Sequence, residues 1–99
     1  MATVKELTDK LTPVVKGYKS FKIGKTGQTL KERFDQEHSK NYKHSAEVCY
    51  SSMAGDIDRY EEQIIACFKN YPNNDNDQKG GGEMTKSNSG RYIVYIVWN

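Results

Sequence analysis

Hydrophobic positions along the chain switch between helical and extended spacing, and the switches mark out its elements. Val4, Leu7 and Leu11 share one helical face, Thr3 stands at an N-cap, and Glu6 follows at capping-box spacing. A helix is therefore expected over residues 4–11, stopped by Pro13. Residues 18–25, YKSFKIGK, alternate as a strand and lead into a turn flanked by Gly24 and Gly27. Thr29, with Glu32 three residues on, opens a second helix whose inner face takes Leu30, Phe34 and His38. Residues 46–51, AEVCYS, read as a short strand. A third helix follows over residues 57–70, with Asp56 as N-cap and Pro72 as terminator. Its apolar arc holds Ile57, Tyr60, Ile64, Cys67, Phe68 and Tyr71. The polar stretch 73–90 contains three successive glycines and is long for a connection, a feature common in functional loops. Residues 91–98, RYIVYIVW, are β-branched and aromatic and form the clearest strand. The order α-β-α-β-α-β predicts an α+β fold: a small three-stranded, mostly antiparallel sheet flanked by three helices.

Length changes this picture little: 99 residues fit a single domain, 1–99, with a modest stability margin. Hydrophobic content of 35% and charged content of 28% suit a folded chain. No apolar run approaches the roughly 20 residues that cross a bilayer, and the charged start MATVKELTDK is unlike a signal peptide. The expectation is an intracellular, cytoplasmic protein with no membrane partner. Cys49 and Cys67 then read as reduced core residues, and the lack of CxxC pairs argues against structural zinc. Asp75 and Asp77 lack the spacing and closing Glu of an EF-hand loop, which argues against calcium.

A net charge of +2 permits nucleic-acid binding without demanding it. The distribution is more informative. Lys16, Lys19, Lys22, Lys25, Lys31, Arg33, Lys40 and Lys43 outnumber the acids of their stretch, although a solvated face would look the same. Within it, FKIGKTGQTLKERF runs strand, glycine turn, helix start, where free backbone N–H groups favour anions. Lys25 lies in the turn and Arg33 about one turn into the helix, so both are expected at one cleft. The spacing is not that of a P-loop. Glu61 is the other signal. On a helical wheel it falls between Ile65 and Phe68, inside the apolar arc, whereas Glu62 falls outside. A carboxylate there needs a counter-charge or a metal ion. A salt bridge to a core-edge cation such as Arg33 is the structural alternative.

Together these signals resemble the GIY-YIG nuclease family over roughly residues 19–74. Lys22-Ile23-Gly24 stands where that family has YIG, followed by Lys25 and a helix bearing Arg33. Glu61, in EEQIIACF ahead of Pro72 and Asn73, stands where the family has its metal-binding Glu. The YIG tyrosine is replaced by Lys22, and no GIY strand precedes it. Gly90-Arg91-Tyr92 has the GxY spacing, so a permuted arrangement is expected in which the last strand lies beside Phe21–Gly24 and Tyr92 or Tyr95 supplies the tyrosine. The resemblance implies metal-dependent endonuclease activity. Glu61 would hold one Mg²⁺ or Mn²⁺ ion, Arg33 the phosphoryl oxygens, and Tyr92, assisted by Lys25 or His38, the attacking water. Lys22, Lys25, Lys31, Lys40 and Lys43 would bind nucleic acid, DNA before RNA.

Two other functions fit the same residues. One is a catalytically inactive module on this scaffold that binds nucleic acid or protein, motivated by the lost tyrosine at Lys22. The other is a structural role, monomer or homodimer, in which RYIVYIVW is an edge strand open to a second copy.

Overall fold

The most apolar stretch of the chain forms the middle of the sheet. In the computed structural model, which describes residues 3–76, 87 and 89–99, β3 (Tyr92–Trp98) lies between β1 (Phe21–Thr26) and β2 (His44–Ser51) and is antiparallel to both. Asp77 falls outside the described residues. Helices cover both faces of this central strand, and Ile93 through Val97 are all buried. The sequence predicts this strand; its central position corrects the edge-strand expectation and removes it as a docking edge.

Three helices flank the sheet: α1 (Val4–Val15), α2 (Leu30–Arg33), which widens into a π-helical turn at Phe34–His38, and α3 (Ala54–Phe68). The core joins Phe21, Ile23, Val94 and Ile96 of the sheet to Ile57, Ile64, Ile65 and Phe68 of α3, with Leu7 and Val15 of α1 completing it. Among the described residues no helix is long and apolar enough to cross a membrane.

Several boundaries differ from expectation for local reasons. Pro13 does not stop α1; it lies within the last turn, where the lost N–H costs one bond, and the fully buried Val15 holds the turn in place. The third helix begins at Ala54, before the expected cap. Asp56 sits in its first turn, accepting from Ser51 Oγ at 3.1 Å and pairing with Arg59, while Ser51 Oγ accepts the Met53 N–H at 3.1 Å. Tyr18 precedes β1 rather than opening it.

The outer edge of β1 is closed by the residues just after α3. The Phe21 N–H donates to the Asn73 carbonyl at 2.9 Å, and the Asp75 N–H to the Phe21 carbonyl at 2.8 Å. Asn76 continues the ladder with its side chain, accepting the Ile23 N–H at 3.0 Å and donating to the Ile23 carbonyl at 2.8 Å. Asn73 Nδ2 donates to the carbonyls of Val15 and Tyr18, and Asn74 Nδ2 to that of Phe68, so the same segment caps the ends of two helices.

The cysteines separate. Cys49 is buried in β2, whereas Cys67 is exposed on α3, correcting its assignment to the core. Burial, partly opposed by a backbone hydrogen bond from Val94, pushes the Cys49 thiol up from 9.0 to about 11. Iodoacetamide at mildly alkaline pH should therefore modify Cys67 in the folded protein and Cys49 only after denaturation. Peptide mapping by mass spectrometry checks this, and equal labelling of both would refute the burial of Cys49.

Candidate functional site

The site forms around one glycine. Gly24 lies opposite Tyr95 in the β1–β3 register. The Tyr95 ring lies across it, and a Cβ at this position would run into the ring. Glycine is needed here because the space above its Cα holds the phenol. Tyr95 is 2% exposed, so its hydroxyl is fixed in place.

That hydroxyl meets two side chains from the second helix. His38 Nε2 lies 2.6 Å away, and Arg33 Nε donates to the hydroxyl oxygen at 3.4 Å. Because Arg33 only donates, all three groups are satisfied when the phenol hydrogen points at His38 Nε2. In a regular α-helix the neighbours of Arg33 are three and four residues on. The π-helical turn adds a residue and brings His38 to the acceptor Arg33 reaches. At the other end the predicted capping box is present: Thr29 Oγ accepts the Glu32 N–H at 3.2 Å and donates to Glu32 Oε1 at 2.9 Å. His38 is 4% exposed, a buried hydrogen-bonding group on the inner face of the helix, as expected.

Successive strand residues point to opposite faces, so Lys25 leaves β1 on the side away from the Tyr95 ring, toward α3. It is 9% exposed, and its Nζ lies 2.7 Å from Asp58 Oδ1 and 3.5 Å from Glu61 Oε1. Desolvation alone would lower the lysine. The hydrogen bond that the ammonium donates to Asp58 and the two carboxylate charges together outweigh it and hold the ammonium above the ordinary lysine value. Glu61, 6% exposed, is the buried carboxylate expected from the helical wheel. Its cation here is Lys25, the turn lysine. Asp58, three residues before Glu61 on α3, is the member of this group that the sequence reading missed; the i, i+3 spacing was the available signal.

Lys25 and Arg33, expected at one cleft, instead lie on opposite faces because Gly24 and Lys25 are adjacent in a strand, which corrects that expectation and divides the residues into two groups: Tyr95–His38–Arg33, and Lys25–Asp58–Glu61. Tyr92, the expected catalytic tyrosine, joins neither. It pairs with Ser51 at the other end of β3, and its hydroxyl accepts the Ser87 N–H at 3.1 Å. Register places Tyr95 beside the glycine instead. Lys22 lines a polar groove of about 430 Å³ with Ser20, His38, Asn41, Tyr42, Asp75 and Asn99. Lys31, Lys40 and Lys43 are exposed.

Asp58 and Glu61 are hard oxygen donors of the kind Mg²⁺ or Mn²⁺ accepts, commonly with water completing the shell. They fit such an ion in chemistry. The Lys25 ammonium lies against both, so an ion would share or take over its place. Among the described residues no group of three or more His, Cys, Asp or Glu side chains converges. Comparison with protein-family models, with curated proteins and with solved structures finds no match.

Proposed function

We propose that the chain is a metal-dependent endonuclease of GIY-YIG type that hydrolyses phosphodiesters of nucleic acid, DNA in the first place. The observation that carries this is the Tyr95 hydroxyl held between His38 and Arg33 over Gly24. It joins a phenol, a base and a guanidinium at one point. The Tyr95 oxygen is placed to take a proton from an attacking water as its own hydrogen passes to His38 Nε2, so the proton leaves through the phenol. The Arg33 guanidinium would bind phosphoryl oxygens and stabilise charge that develops on them. Glu61, with Asp58, would hold the divalent ion on the α3 side of β1, the face opposite Tyr95–His38–Arg33, so this reading requires one phosphodiester to reach both groups; the ion would supply polarisation of the phosphate. The strand order supports the permuted arrangement, because β3 lies directly beside β1 with Tyr95 at the glycine.

One observation favours the second reading, a binding module without turnover: Lys25 already neutralises the carboxylate pair. Nicking of supercoiled plasmid in Mg²⁺ or Mn²⁺, by wild type and by Glu61→Ala, separates the two. Metal-dependent nicking lost in the variant, with the melting curve still cooperative, is the expected result. Salt-sensitive binding without nicking by either protein would instead establish the binding module.

A further inference from the structure

We propose that the end of the sheet where β1 begins and β3 finishes holds an unpaired stretch of nucleic acid, with a base stacked on His44. This rests on the nucleic-acid reading above and adds which form of nucleic acid is gripped and by what.

A row of rings crosses that end. Trp98 is stacked on Tyr18, with centroids 4.9 Å apart and planes 10° apart, and on His44, at 5.4 Å and 24°. His44 and Trp98 are register partners across β2 and β3. Tyr18 and Trp98 are half-buried and pack against the core, which accounts for them as structural residues. His44 is exposed, and its ring nitrogens have no hydrogen-bond partner among the described residues. Packing does not explain it. The stack on Trp98 holds the imidazole plane at an exposed position.

Lysines flank this row. The Lys43 N–H donates to the Trp98 carbonyl at 3.3 Å and the Lys19 N–H to the Asn99 carbonyl at 2.9 Å, so both lysines flank the end of β3. Among the described residues neither of these two ammonium groups meets a side-chain carboxylate, whereas Lys5, Lys25, Arg59 and Arg91 are each paired. The nearby acid, Asp75, is engaged by the Tyr42 hydroxyl at 2.7 Å. An aromatic plane flanked by cations matches the alternation of base and phosphate in a single strand. In a duplex the base faces are covered by their neighbours, so only unpaired nucleotides can use the plane.

Trp98 lies opposite Phe21, on the α3 side of the sheet, and Tyr95 lies on the other side, so the row is a separate contact from the proposed cleavage site. The test uses labelled single-stranded and blunt duplex DNA of about ten nucleotides, titrated by anisotropy in EDTA over a range of salt. Trp98 is the single tryptophan and gives a second, label-free signal. Single strand should bind more tightly than duplex. His44→Ala should weaken it roughly tenfold or more, with duplex binding unchanged, and Lys19→Ala/Lys43→Ala should reduce the salt slope by about 1.4. Equal binding of single strand by His44→Ala and wild type, or no preference for single strand in wild type, would overturn the proposal. If nicking depends on Glu61 while His44→Ala binds normally, this proposal fails and the nuclease stands. If single-strand binding depends on His44 and no variant or wild type nicks, the converse holds.

Discussion

Tyr95→Phe should lower the metal-dependent nicking rate by about 10²–10⁴-fold and leave the fold intact. Phenylalanine keeps the ring across Gly24, so the packing that requires glycine is preserved. What disappears is the oxygen 2.6 Å from His38 Nε2 and 3.4 Å from Arg33 Nε. The stability cost is that of one buried hydrogen-bonding group, about 1–3 kcal/mol. Nicking kinetics and a thermal melt on the same preparation distinguish the two effects. A variant that nicks at the wild-type rate would remove Tyr95 from the chemistry, and the nuclease proposal would lose the observation that carries it.

Lys25→Met should have the largest effect on stability, about 3 kcal/mol or somewhat more. It removes the cation from beside the buried Glu61 carboxylate while keeping most of the methylene packing. The lower end of the range for breaking a buried pair applies because the Asp58 side chain is 45% exposed and water screens part of the loss. Mg²⁺ or Mn²⁺ should then raise the melting temperature of the variant more than that of wild type, since the ion replaces the ammonium between two carboxylates. Equal metal response would show that this pair is no ion site.

The same pair fixes a pH window. Lys25 titrates higher folded than unfolded, so its contribution is complete below about pH 10.4 and is lost as pH rises through the folded value. Cys49 erodes stability from a lower pH: its thiol ionises in the unfolded chain from 9.0 but in the folded protein only near 11. Urea denaturation from neutral to strongly alkaline pH should show the gap between wild type and Lys25→Met constant to about pH 10 and closing above it.

Most elements were legible because each depends on spacing within a few residues. The capping box at Thr29 and Glu32, the apolar face around Ile57 and Ile64, and the run from Tyr92 to Trp98 are all local patterns. Glu61 was legible for the same reason, since a wheel places it inside an apolar arc and the structure buries it. Long-range register was not. GxY spacing points at Tyr92, but pairing decides which tyrosine meets Gly24, and it selects Tyr95. The π-helical turn that brings His38 beside Arg33 carries no composition signal. The asparagines after α3 look like loop residues, yet Asn73, Asn74 and Asn76 satisfy helix ends and the edge of β1, a need that exists only once the tertiary fold is present.

The position of β3 has a consequence for biosynthesis. Both neighbours of this strand come earlier in the sequence, and neither pairs with the other. As the chain leaves the ribosome, residues 21–26 and 44–51 therefore wait without their ladder until residues 92–98 emerge. A nascent chain in that state leaves Phe21, Ile23 and Cys49 without the strand that covers them, so the sheet forms in one late event once the last strand arrives.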